Sequence, residues 1–345
     1  MSQERKPNVG IVGLGMYLPK KTMTAKEISE ATGGAWSEEA VIDKLGIVKK
    51  YVPSEEPCDG SQEMGALAAL DCLANTGVDP KEIDAILCIG EEWKEYLLTT
   101  SACYIQDRIG ATNAWCIDVQ NRCCTGVSAM KMAKDLMLAD DDCNTVLIAG
   151  GYRNCDFIDY KDSGVSFMFD LGAGGAAMLL KKGYDKNVIL GSHLMADGSI
   201  VHTCGSKVGG QLEPVTAENA KEYGFLRVMD GEKMKGLLNE KSMSNWMLCI
   251  DEALRKSDLT REDIGYLDIL HMKRSGHLGM LKDLGLTEDQ STYLEDYGHI
   301  GQLDQILSLK LALEQGKVKD GTVIAMIAAG IGYTWAASIV KWGDA

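Results

Sequence analysis

One alternating series of strand-like and helix-like segments runs through the first half of this chain, and the same series is then written again. Runs dense in Val, Ile and Leu at Val9 to Gly13, Ile83 to Ile89, Trp115 to Val119, Thr145 to Ala149 and Ala176 to Leu180 are separated by helical or turn-rich stretches. That order is the mark of an α/β protein. From Asn187 the order restarts, with strand-like runs at Val188 to Ser192, Tyr266 to Leu270, Ser291 to Leu294, Thr322 to Ile327 and Ser338 to Lys341. Ile83 to Cys88 matches Tyr266 to His271, the stretch around Cys124 matches Tyr293 to Leu313, and Thr145 to Gly151 matches Thr322 to Gly330. A duplicated unit of this size, with near-continuous apolar strands that need cover on both faces, predicts two stacked α/β halves about a pseudo-twofold axis. The halves are 1–183 and 184–345. No linker rich in Pro, Gly or Ser divides them, so the boundary near Tyr184 is topological and one compact body is expected.

The bulk numbers narrow the function. With 345 residues and 46% hydrophobic content the chain can bury a large core. No apolar run reaches bilayer length, and Met1 to Asn8 is polar and charged, so a cytoplasmic protein without membrane contact is expected. A formal charge of -15 argues against nucleic acid, which needs a basic face. An acidic protein partner would need a local basic patch, for which Lys20-Lys21, Lys49-Lys50 and Lys273-Arg274 are the candidates. Eleven cysteines without paired C-x-x-C spacing indicate neither a disulfide framework nor a zinc ribbon.

Chemistry concentrates where strand gives way to helix. From Ala114 to Met137 an apolar strand pattern ends in Asn121-Arg122-Cys123-Cys124-Thr125-Gly126 and a helical pattern starts at once. A thiol at a helix N-terminus sits among unpaired N–H groups and the positive end of the dipole, which favours thiolate and hence covalent acyl chemistry. The plainer reading is two buried cysteines acting as small hydrophobes. Of the five histidines, His271 and His299 follow strand-like runs at matching sites of the repeat, where α/β sheets carry their functional loops. His193, His202 and His277 are read as structural. Glu91 beside Glu92, after Cys88, is either a solvated acidic pair or a general base. Gly172-Ala173-Gly174-Gly175-Ala176-Ala177 has the glycine spacing of a dinucleotide fingerprint, but it precedes a strand instead of opening a helix, and so reads as a tight turn.

Taken in order, Gly10 to Pro19, Cys124-Thr125-Gly126, Phe169 to Gly174, Ala196-Asp197-Gly198 and Gly330 to Trp335 resemble the thiolase superfamily. The closest likeness within it is to 3-oxoacyl-acyl-carrier-protein synthase III, the initiating condensing enzyme of fatty-acid synthesis. The resemblance implies a thiolase-like duplicated fold and a Claisen condensation through an acyl-cysteine. It selects Cys124 over Cys123 as the nucleophile, and it places His271 and His299 as donors to the thioester carbonyl. His299 stands where the family has asparagine, which is similar to the Cys-His-His set of elongating condensing enzymes. Glu91 falls where methylglutaryl-CoA synthases carry a catalytic glutamate. The resemblance further implies an oxyanion hole from Cys124, Ile331 and Gly332, with Trp36 stacking on CoA and Leu98 lining the acyl pocket across a dimer interface. It implies no resident cofactor, with a CoA thioester as substrate. The partners implied are acyl-CoA, an acyl carrier protein and a second copy of the chain, with a helper subunit as a further option. The alternatives are a non-decarboxylative methylglutaryl-CoA synthase or thiolase type with Glu91 as base, acyl transfer to an oxygen or nitrogen nucleophile, and a silent partner subunit. A plain thiolase is disfavoured, because no cysteine lies in the loop that carries that family's second catalytic one.

Overall fold

A computed structural model describes residues 7–55, 59–331 and 333–344. Its strands are β1 (Val9–Tyr17), β2 (Thr22–Thr24), β3 (Lys49–Tyr51), β4 (Ala85–Cys88), β5 (Trp115–Asp118), β6 (Thr145–Tyr152), β7 (Gly174–Lys182), β8 (Lys186–Ala196), β9 (Cys204–Ser206), β10 (Leu226–Val228), β11 (Tyr266–Ile269), β12 (Val323–Gly330) and β13 (Thr334–Asp344). The helices are α1 (Ala25–Ala31), α2 (Glu38–Ala40), α3 (Ser61–Thr76), α4 (Ser101–Ile109), α5 (Thr125–Ala139), α6 (Gly231–Arg255), α7 (Arg274–Leu284) and α8 (Asp304–Glu314).

Nine strands form one sheet in the order β11-β12-β13-β8-β1-β7-β6-β4-β5. At its middle, β1 meets β8 through the pairing of Gly10 with Val188. Outward from that seam the two arms repeat one another. One runs β1, β7, β6, β4, β5 and the other β8, β13, β12, β11, each with two antiparallel pairings followed by a parallel one. The fifth place of the second arm was expected as a strand over Ser291 to Leu294. It holds an isolated bridge from Leu267 to Ser291, because the Ser291 hydroxyl takes the Leu267 carbonyl at 2.8 Å, an acceptor that a longer ladder would use.

Helices α5 and α8 are buried along most of their length and lie between the two arms. α5 packs on β6 and β7 of one arm and on β13, β12 and β8 of the other, and α8 packs on β1, β7 and β11. The opposite faces are covered by α3 on β1, β7 and β6 and by α6 on β8, β13 and β12. Alternate residues of the strands therefore enter different cores. Val146 and Ile148 join the central one with Met130 and Leu307, while Leu147 and Ala149 join the outer one with Ala66 and Ala69.

The first turn of α5 touches the backbone of the segment that leads into α8. A methyl group at Gly126 would stand 2.4 Å from the Gln302 carbonyl oxygen, so only glycine permits this approach. Gly126→Ala is expected to destabilise the protein by about 1–3 kcal/mol through forced separation of the two helices. A lowered midpoint in thermal unfolding checks it; an unchanged midpoint would show that the contact yields.

Candidate active site

Helices α5 and α8 are each entered through a short 3-10 turn, Arg122–Cys124 and Gly301–Leu303, and these turns pack against each other. Beside them opens a cavity of about 610 Å³ whose polar end carries Glu91, Arg122, Cys123, Tyr152 and His299, and whose walls include Trp93, Phe157, Val208 and Tyr223. The 204–226 excursion with β9 and β10 supplies one wall of it.

The two cysteines of the turn point to different places. Cys123 lines the cavity, and its Sγ lies 3.3 Å from Nε2 of His299. Cys124 is fully buried in an apolar cluster with Val127, Ile250 and Leu270, and its thiol donates to the Thr334 carbonyl at 3.3 Å. Burial pushes the Cys124 thiol well above the ordinary thiol range, which disfavours its thiolate. The sulfur presented to the cavity is that of Cys123, and the Cys124 thiol expected there is directed away from it. In a 3-10 turn successive side chains are rotated by about 120°, so neighbours cannot share one face. The phase of this turn is set by Arg122, which adopts φ 51°, and by Gly330, where a side chain would stand 3.0 Å from the Cys123 nitrogen.

His299 lies on the segment leading into α8, and its Nδ1 is 2.6 Å from Oδ2 of Asp304, the first residue of that helix. The same carboxylate accepts the backbone N–H of His271 at 2.7 Å and that of Ile300 at 2.8 Å. Burial works against a charge on His299, but the Asp304 carboxylate and the Cys123 sulfur outweigh it and hold the imidazole well above its usual range. The ring thus lies between a carboxylate and a sulfur.

His271 does not join this group. Its Nε2 donates to the Leu45 carbonyl at 3.1 Å and stands 3.8 Å from the Asp170 carboxylate, while Nδ1 is buried without a hydrogen-bond partner among the described residues. The structure therefore does not bring its ring to the cavity lining that carries His299. Leu45 ends a helical turn closed by left-handed Gly46, and its carbonyl is one of the orphans such an end leaves. His271 satisfies that orphan. Burial pushes its basicity down, so it is neutral.

Glu91 is buried and lines the cavity, and Glu92 beside it is exposed. Arg122 bridges the pair, with Nη1 2.7 Å from Oε2 of Glu91 and Nη2 2.7 Å from Oε1 of Glu92. Burial raises the Glu91 carboxyl to about 7 against the opposing pull of Arg122. This places it where a general base for neutral pH belongs.

The remaining expected residues are scattered. Ile331 lines the cavity, whereas Gly332 lies outside the described residues. The Cys124 N–H, expected in an oxyanion hole, donates to the Asn121 carbonyl at 3.1 Å. Trp36 packs edge-on to Phe169 with centroids 6.0 Å apart, under the Lys44 ammonium, and away from the cavity lining. Leu98 is fully exposed at a loop tip with φ 63°, and its neighbour Leu97 is the one that lines the cavity.

Sequence reading missed Cys123 as the presented thiol, Arg122 as the clamp on Glu91, Tyr152 against the His299 ring at 6.3 Å, and Asp304. Asp304 had a legible signal, because an acid five residues after a candidate histidine and opening a helix can turn back onto it.

Comparison with known proteins agrees with this architecture. The family profile for 3-oxoacyl-(acyl-carrier-protein) synthase III matches residues 117–198, and the profile for the C-terminal part of that enzyme matches residues 254–342. The β-ketoacyl-(acyl-carrier-protein) synthase III of Caldanaerobacter subterraneus subsp. tengcongensis is 27% identical over 336 residues, covering 96% of this chain and 97% of the relative. Among solved structures, the 3-oxoacyl-(acyl-carrier-protein) synthase III of Aquifex aeolicus superposes with a TM-score of 0.82 at 22% identity, covering 97% of this chain and all of that one. Xanthomonas campestris OleA with bound lauric acid and lauroyl-CoA superposes with a TM-score of 0.81 at 18% identity, covering 98% and 100%. With the two profiles in the order of that enzyme's own parts, relatives matched end to end and the same fold, the chain is similar throughout to the condensing enzymes of the 3-oxoacyl-(acyl-carrier-protein) synthase III type.

Proposed function

We propose that this chain joins two acyl thioesters by a Claisen condensation that passes through an acyl group on Cys123. The observation that carries the reading is the Cys123 sulfur 3.3 Å from His299 Nε2 at the polar end of the cavity. Cys123 thiolate attacks the thioester carbonyl, the carbon–sulfur bond to the carrier breaks, and the departing thiolate takes the His299 proton. A carbanion from the second thioester then attacks the acyl-cysteine, forming the carbon–carbon bond and returning the Cys123 thiolate. Acyl-CoA is the proposed donor, and the cavity of about 610 Å³ has room for more than an acetyl group. Intact-protein mass spectrometry after exposure to a panel of acyl-CoAs tests the first half-reaction. A mass gain of one acyl group, mapped to Cys123, is expected; no gain with any acyl-CoA would overturn the reading.

Two observations favour making the carbanion by direct proton removal over decarboxylation. Glu91 lines the same cavity with a carboxyl raised to about 7, and His271 is turned away to Leu45, leaving one imidazole at the sulfur. On this reading a second thioester without a β-carboxylate is a competent donor and no carbon dioxide leaves. Release of carbon dioxide from malonyl-CoA in step with product would favour decarboxylation instead.

A homodimer completes the proposal. β5 ends the sheet, with no further strand paired to it among the described residues, and Trp115 and Ile117 on it are 46% and 41% exposed. An apolar strand edge of this kind pairs with another strand, here β5 of a second copy. Ile117→Lys is expected to convert a dimer to a monomer in size-exclusion chromatography with light scattering. A monomeric wild-type protein at micromolar concentration would refute the dimer.

A further inference from the structure

We infer that Asp304 is the positioning residue of this site: it fixes the ring and tautomer of His299, so that Nε2 faces Cys123 with a proton to share. The inference rests on the proposed pairing of Cys123 with His299, but it requires no particular substrate.

The internal repeat supplies the argument. In the first half, Thr125 opens α5, and its hydroxyl oxygen accepts the N–H of Asn121, four residues earlier, at 2.8 Å. In the second half, Asp304 opens α8 and its Oδ1 accepts the N–H of Ile300, also four residues earlier, at 2.8 Å. The two halves thus carry the same turn closed in the same way. A hydroxyl suffices for it in the first half. Asp304 brings a second oxygen, and that oxygen takes Nδ1 of His299 at 2.6 Å and the N–H of His271 at 2.7 Å.

A carboxylate with no exposure is costly unless each oxygen is satisfied and a positive group faces it. The N-terminus of α8 and the His299 ring supply both. Since a carboxylate oxygen accepts and cannot donate, Nδ1 must carry a proton towards Oδ2, which leaves Nε2 as the ring atom that shares a proton with the Cys123 sulfur. The other titratable groups around the ring are Tyr152, Asp170 and His271. Tyr152 and His271 are held neutral by burial, and Asp170 reaches the segment through its backbone carbonyl, which accepts the His299 N–H at 2.9 Å.

The test measures the rate of Cys123 alkylation by iodoacetamide as a function of pH, with the modified peptide identified by mass spectrometry. Asp304→Thr keeps a γ-oxygen for the Ile300 N–H and removes the partner of Nδ1. It is expected to slow alkylation at neutral pH by about ten- to a hundredfold, the scale of a hydrogen bond to a charged group, with the rate recovering at higher pH as the thiol ionises alone. In the His299→Ala background the same substitution should leave the profile where it already is, since Asp304 acts through that ring. Folded Asp304→Thr or Asp304→Asn with the wild-type profile would overturn the inference. Nitrogen-15 NMR of histidine-labelled wild-type protein reads the tautomer without any variant: a proton on Nδ1 of His299 supports the assignment, and an unprotonated Nδ1 at neutral pH refutes it.

Discussion

Cys123→Ala is expected to take up no acyl group from acyl-CoA and to lose condensation by on the order of a thousandfold or more, whereas Cys124→Ala still acylates. The two thiols are adjacent in sequence and opposite in environment. Cys123 meets His299 Nε2 at 3.3 Å in the cavity, while Cys124 meets the Thr334 carbonyl among apolar side chains. Removing the Cys124 sulfur leaves a small void and should cost stability, about 1 kcal/mol, more than chemistry. Peptide mapping of the acylated wild-type enzyme together with both variants decides the matter. An acyl group found on the Cys124 peptide position, or retained at full level by Cys123→Ala, would return the nucleophile to Cys124.

Glu91→Gln is expected to lower condensation by about 10²- to 10⁴-fold, the range that a positioned general base contributes, while leaving acylation of Cys123 in place. The glutamine is nearly isosteric and can still face Arg122, so the loss reports the missing proton acceptor. The pH dependence gives the sign. Burial lifts the Glu91 carboxyl to about 7, so the ionised form able to accept a proton grows as pH rises through neutrality. The rate should climb over that interval in the wild type and lose the climb in Glu91→Gln. Arg122 pulls the other way, and Arg122→Ala should move the climb to higher pH. Malonyl-CoA decarboxylation that proceeds at the wild-type rate in Glu91→Gln, with product formed alongside, would take Glu91 out of the mechanism.

Much of the architecture could be read in advance because the apolar runs are long and come in the same order twice. The strands of both arms are the Val, Ile and Leu runs that can be buried on two faces only in a layered α/β body, while their order across the sheet comes from the tertiary structure. The exception, Ser291 to Leu294, is too short and polar for its ladder to win against its own hydroxyl. The site was legible to the level of its loops. The loop after β4 and the segments leading into α5 and α8 were the places to look, and they hold Glu91, the cysteine pair and His299. Individual side-chain directions were not, since Leu45 claims His271 from a segment 226 residues away in sequence.

The amino-acid sequence by itself determined the duplicated α/β order, the two helix entries that carry the chemistry and the family likeness, because hydrophobic periodicity and turn residues act over short spans. Which of two neighbouring sulfurs faces the cavity, which histidine meets it and which carboxylate holds that histidine were decided only by the tertiary structure. The physical reason is that one 3-10 turn changes a side chain's direction by about a third of a revolution per residue. The phase of that turn is locked by partners such as Gly330 and Asp304, far along the chain from Cys123.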